Sequence, residues 1–107
     1  MSDLDFTICC TVTFFSKKRG TPPNLNNGKY CPHFVIRGSN QLLGVNFIDG
    51  EDVIFDKEIG ANVLSLYETV DYSALQGGTE FLIMEDGNIV GEGIVKEIFQ
   101  HKPHERK

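Results

Sequence analysis

The sequence predicts an all-β protein, a small antiparallel barrel or sandwich of about five to seven strands, and three observations carry that expectation. Apolar residues alternate with polar ones in short runs, with no helical stripe of useful length. Turns rich in Gly, Asn, Asp and Pro separate those runs at intervals of about 8–12 residues. The core material is phenylalanine: eight Phe and no Trp accompany eleven Gly in 107 residues, a composition suited to closely packed strands.

Phe6 to Phe15 reads as the first strand. Phe6, Ile8, Cys10, Val12 and Phe14 fall on one face, and Thr7, Cys9, Thr11 and Thr13 on the other, which is period two with a buried face and a threonine-rich outer one. Ser16-Lys17-Lys18-Arg19-Gly20 is a polar, basic turn. Thr21 to Lys29 is a loop by composition, because Pro22 and Pro23 withhold ladder donors and Asn27-Gly28 favours a turn. As the longest irregular stretch it is expected to be the place for mobility or partner contact.

His33 to Arg37 is the next strand, with Phe34 and Ile36 on one face. Gly38-Ser39-Asn40 turns the chain, and Gln41 to Ile48 returns it with Leu43, Val45 and Phe47 alternating. Asp49-Gly50-Glu51-Asp52 is expected to be an acidic turn, Val53-Ile54-Phe55 a short strand, and Asp56-Lys57-Glu58 a charged link to Gly60. Ala61 to Tyr72 fits a strand, with Leu64 and Leu66 on one face and Val63 and Tyr67 on the other. Ser73-Ala74-Leu75-Gln76 is expected to form one helical turn leading into Gly77-Gly78.

Glu80 to Phe99 reads as a hairpin, with Asp86-Gly87 or Gly87-Asn88 supplying the positive φ that a two-residue type I′ turn requires. Phe81, Ile83, Val90 and Val95 are its core residues. Val90, Ile94 and Ile98 are spaced by four, which suits a helix. Gly91 and Gly93 would each cost that helix about 1 kcal/mol relative to Ala, so a strand bent at its glycines is the expectation.

The chain has the length of one domain and is too short for two, so residues 1–107 are read as a single unit with no internal repeat. Its formal net charge of −5 argues against dominant binding to a phosphate backbone, which needs a basic face. Met1-Ser2-Asp3-Leu4-Asp5 begins no apolar leader, and no stretch approaches the roughly 20 apolar residues of a membrane span, so no membrane association is expected. Three cysteines are odd in number, and adjacent Cys9 and Cys10 on a strand point to opposite faces. Free thiols and a cytoplasmic location follow as expectations.

Motifs for catalysis are weak. No Gly-x-x-x-x-Gly-Lys-Ser/Thr run exists to ring phosphates with backbone amides, and Gly91-Glu92-Gly93 puts a carboxylate where phosphate would lie, so no nucleotide is expected. Cys31-Pro32-His33 offers two ligand types at poor zinc spacing, and His101 and His104 lie in a polar tail, so no metal or other cofactor is expected. Cys31 with His33 lacks a third, orienting group, and the Glu51-Asp52 and Glu85-Asp86 pairs read as solvated turn carboxylates. The chain is therefore read as not an enzyme. Lys17-Lys18-Arg19, with Lys29 and Arg37, could form a phosphate-facing strip.

Three segments carry a resemblance. Lys29-Tyr30-Cys31-Pro32-His33-Phe34 stands against a family pattern Gly-Tyr-Arg-Pro-x-Phe. Glu80-Phe81-Leu82-Ile83-Met84-Glu85-Asp86-Gly87-Asn88-Ile89-Val90-Gly91-Glu92-Gly93-Ile94-Val95 stands against Arg-Phe-x-Ile-Arg-Glu-Gly-Gly-x-Thr-Val-Gly-x-Gly-Val-Val. The opening strand, basic loop and Gly20-Thr21-Pro22 follow the same order. From about Asp5 to Phe99 the chain thus resembles the C-terminal β-barrel domain (domain 3) of bacterial elongation factor Tu. The resemblance implies a closed antiparallel barrel of six strands at about 5–99, standing alone without GTPase and middle domains, and a polar tail, 100–107, predicted to fray.

In that family the domain contacts the T-stem of aminoacyl-tRNA and offers surface to the GTPase domain and the exchange factor. Lys17, Lys18, Arg19 and Arg37, from the basic positions, and Tyr30, His33, Glu85, Asp86 and Gly87, from the segments that carry the resemblance, are the candidates for contact with a partner or RNA. Family arginines are replaced by Cys31, Met84 and Asn88, while Asp86 and Glu92 add negative charge, which dilutes a phosphate-facing surface. The leading expectation is a non-enzymatic protein-binding module, a translation-related mimic or competitor of the factor. The alternatives are a weak tRNA- or RNA-binding domain, and an immunity or decoy protein against a toxin that engages the factor.

Overall fold

Alternation in the first strand becomes burial in the structure, a computed structural model that describes residues 5–66 and 70–101, with the backbone alone at 5, 6, 100 and 101. Strand β1 (Asp5–Phe14) turns Ile8, Cys10, Val12 and Phe14 inward and leaves Cys9, Thr11 and Thr13 half-buried on the other face. The remaining strands are β2 (His33–Ile36), β3 (Leu43–Gly50), β4 (Ile59–Ser65), β5 (Glu80–Glu85) and β6 (Asn88–His101). They hydrogen-bond in the order β1-β4-β3-β2-β5-β6, and β6 returns to β1, closing an antiparallel six-stranded barrel. No helix occurs among the described residues, so none is long and apolar enough to cross a membrane.

Rings fill the interior. Phe14, Phe34, Phe47 and Phe81 are fully buried, and burying each such side chain contributes roughly 1.5–3 kcal/mol. Phe34 stacks on Phe81 with centroids 3.9 Å apart and meets Phe47 edge-on at 6.0 Å. Leu25 and Pro23 are buried too, so the loop at 21–29 is pinned rather than loose. The Asn26 side chain fixes it further, donating to Gly50 O (3.0 Å) and accepting from Gly50 N (3.1 Å). All three cysteines are free thiols. Burial pushes the Cys10 thiol up to about 12, with adjacent Cys9 adding to the shift.

The hairpin turn is Asp86-Gly87, with φ of 49° and 84°, the paired positive values of a type I′ turn. Opposite Phe14 and Val12, β6 places Gly91 and Gly93. A Cβ on Gly93 would lie 2.5 Å from Thr11 O and 2.6 Å from Phe81 Cζ, and one on Gly91 would lie 2.5 Å from Thr13 O. These glycines admit a neighbouring backbone and a core ring.

The four-residue spacing in β6 has a strand explanation. β-Bulges leave Val90 unpaired against β5 and Lys96 unpaired against β1. Each shifts the inward phase by one residue, so Val90 and Ile98 turn toward the core while Ile94, between the two bulges, is exposed, and the four-residue spacing marks no common face.

Four further expectations are corrected. β3 runs on through Asp49 and Gly50, which pair with Asn62 and Ala61 where a turn was expected. Val53-Ile54-Phe55 is not a strand: it lies in the connection between β3 and β4, with Val53 and Phe55 packed on the core and Ile54 53% exposed. Asp56, at φ 65°, then ties its N–H to Phe14 O at 2.7 Å. The third correction lies after β4, which ends at Ser65. The chain there folds back so that the Tyr72 hydroxyl donates to Gly44 O and Leu75 is buried. Ser73–Gln76 accordingly makes no helical turn. Leu75 N donates to Tyr72 O and Thr79 N to Gln76 O, each at 2.9 Å. The facing of Tyr67 and the fraying of the tail from residue 102 onward lie outside the described residues.

Candidate functional site

The Asp86-Gly87 turn delivers Glu85 to one end of the barrel, where the basic turn after β1 and the segment entering β2 converge on it. Arg19 Nε donates to Glu85 Oε2 at 2.9 Å, and the Tyr30 hydroxyl donates to the same oxygen. The guanidinium also lies 5.6 Å from the Tyr30 ring centroid and donates to the Thr21 carbonyl. Arg19 and Glu85 keep side-chain exposures of only 21% and 26%, so the pair is less screened than a surface salt bridge. Burial pushes the Tyr30 phenol well above its ordinary value. The hydrogen bond and charge of Glu85 push in the same direction, against the opposing pull of Arg19. Packed on Phe47 and Phe14, the Tyr30 ring links this polar cluster to the core.

Around the cluster opens a cleft of about 470 Å³. Arg19, Tyr30 and Glu85 line it together with His33, Asp86 and Gly87, so the fold brings six of the sequence-predicted residues to one place. His33 stands in register with Met84 on β5 and Gly44 on β3. Lys17 and Lys18 are exposed on the basic turn and do not line the cleft. Arg37 lies at the far end of β2, where its guanidinium pairs with Glu80 (3.2 Å) and Glu92 (2.5 Å).

Sequence reasoning missed the apolar part of the lining: Pro32, Met84 and Leu42, the last 51% exposed. Leu42 was legible in principle. With Leu43 directed inward by period two, its neighbour must face out, and a leucine there is an exposed apolar contact. Cys31 also lines the cleft, its sulfur 3.1 Å from the Asn46 side-chain nitrogen.

The carboxylate of Glu85 is occupied by two donors, its arginine is neutralised, and an apolar rim stands beside an exposed acidic turn. Among the described residues no three His, Cys, Asp or Glu side chains converge as a metal site. No family model matches the chain.

Proposed function

We propose that this chain is a non-enzymatic protein-binding barrel of the kind found as the third domain of elongation factor Tu, a translation-related mimic or competitor acting in the cytoplasm. The six-stranded closed antiparallel barrel is compatible with that kinship. The observation that carries the reading is the cleft: Arg19 is already neutralised by Glu85, and Leu42 and Met84 present apolar surface beside it. A phosphate-facing site needs unspent cations, whereas a protein partner is bound by desolvating apolar anchors within a polar rim.

The test is calorimetric titration of the purified chain into the GTPase domain of elongation factor Tu and, separately, into its exchange factor. Binding to one of them, weakened about tenfold by Leu42→Asp (about 1.4 kcal/mol) with the melting temperature unchanged, is the expected result. Absence of heat with both partners at high micromolar concentration overturns it.

A weak tRNA-binding reading is favoured by Lys17 and Lys18, both exposed on the turn. It predicts a tRNA affinity that falls with salt and is lost on Lys17→Ala/Lys18→Ala, since about two phosphate contacts give a shallow logarithmic salt slope of roughly −2. An unshifted tRNA band at low salt removes that reading.

A further inference from the structure

β6 outruns the strand beside it. β5 begins at Glu80, opposite Ile94, and the segment leading into it supplies the next partners: Val95 N donates to Thr79 O (2.9 Å) and Gly78 N to Val95 O (2.7 Å). Past the unpaired Lys96, β6 continues from Glu97 to His101 with β1, from Cys9 to Asp5, as its one strand partner among the described residues. Along a strand, backbone N–H and C=O groups point alternately to either side, so half of this stretch's groups face away from β1. Among the described residues those outward groups meet no protein partner. Glu97 is exposed and Phe99 is 48% exposed. Within a barrel that otherwise closes on itself, this is an open sheet edge among the described residues, and no proline interrupts it.

We propose that a second copy of this chain occupies the edge, pairing β6 with β6 in antiparallel register about a twofold axis through Phe99. Such an interface is self-complementary, as a twofold requires. The axis sets Phe99 opposite Phe99, Ile98 opposite Gln100, and Glu97 opposite His101. An aromatic pair thus lies at the centre, and a carboxylate meets an imidazole-bearing position instead of its own copy. Moving the axis one residue toward the N-terminus would put Glu97 against Phe99 and lose both pairings. The contact is small beside the ~1,200 Å² of a stable specific interface, so association is weak and concentration-dependent. The net charge of −5 opposes it further, and the measurement belongs at about 0.15 M salt, where charge interactions beyond roughly 8 Å are screened. The edge lies on β6 beyond Lys96, far along the strand from the Asp86-Gly87 turn at the cleft, so the inference stands apart from the proposed function.

Sedimentation velocity from low to high micromolar protein tests it, with hydrogen exchange measured at the same concentrations. The mass is expected to rise from 12.0 kDa toward twice that value, with amides between Glu97 and His101 gaining protection as the dimer forms. Phe99→Asp sets two carboxylates face to face and is expected to weaken association about tenfold, and Glu97→Lys to weaken it less, each keeping the wild-type circular dichroism spectrum. A mass fixed at 12.0 kDa throughout overturns the proposal and leaves the edge to a strand of another protein. A dimer whose formation leaves exchange at residues 97–101 unchanged, or whose affinity folded Phe99→Asp does not alter, overturns it too.

Discussion

β6 is laced to β1 from Asp5↔His101 to Phe14↔Gly91, whereas the β2–β3 ladder consists of His33↔Gly44 and Phe34↔Leu43. Two bonds from the segment ahead of β2 extend the shorter seam, Val45 N to Pro32 O (3.1 Å) and Phe47 N to Tyr30 O (3.0 Å). Pro32 itself has no N–H to give. The long seam is sealed by backbone and fitted by two glycines that let β1 and a core ring close in. The short seam is held by rings, Phe34 stacked on Phe81 and edge-on to Phe47. The candidate cleft opens beside the short one, where His33 and Leu42 lie. A ladder that ends early leaves side chains uneven at the surface, and an uneven surface can hold a partner.

If rings hold the short seam, Phe34→Ala is the most damaging change, because it empties a fully buried site and unstacks Phe81. A loss of about 3–5 kcal/mol in urea unfolding is expected, and a loss under about 1 kcal/mol would show that the ladder alone suffices there.

Backbone fit at the long seam makes the next prediction. Gly93→Ala forces a Cβ to within 2.6 Å of the Phe81 ring and 2.5 Å of Thr11 O, and is expected to cost about 1–3 kcal/mol. Gly60→Ala is the control, since a Cβ there meets nothing within 4 Å. It is expected to be neutral or to stabilise by a few tenths of a kcal/mol, to about 1, through the unfolded chain. Equal effects of the two substitutions would remove steric fit as the basis of the seam.

The smallest effect concerns the polar cluster. Tyr30→Phe loses the hydroxyl that donates to Glu85 and is expected to cost about 1 kcal/mol at neutral pH. The phenol's value is raised in the folded protein, so its contribution is fully present below the ordinary value of 10.0 and is lost as pH rises above it. Unfolding curves of wild type and Tyr30→Phe should therefore converge above pH 10. A gap that stays constant there would mean that Tyr30 titrates normally. Cys10, raised from 9.0 to about 12, lowers the alkaline stability of both proteins alike and leaves the comparison intact.

Much of the barrel was legible because period two survives wherever a strand has one wet face. β1 is the clearest case, and Asp86-Gly87 announced its turn through the positive φ it must adopt. The Val53–Phe55 segment misled because a short apolar run has the same composition when it packs on the core from a loop as when it joins the ladder. The end of β4 at Ser65 was hidden for a related reason, since Tyr72 and Leu75 satisfy a core without being strand. At the site, most polar lining residues were picked out singly. Their union was not, because Arg19 and Tyr30 lie 66 and 55 residues from Glu85 and only barrel closure brings them together. Arg37 was grouped with them on charge alone, and the fold commits it to Glu80 and Glu92.

Lys96 has a consequence for how length variation in this chain should be understood. Val95 faces Cys10 and Glu97 faces Cys9, so Lys96 is surplus to the pairing. Removing it would leave Val95 and Ile98 inward and every cross-strand partner in place, changing only the local bend and twist of the ribbon. A sequence shorter by that one residue would look frame-shifted when written in a row beside this one, yet would superpose on it partner for partner in space.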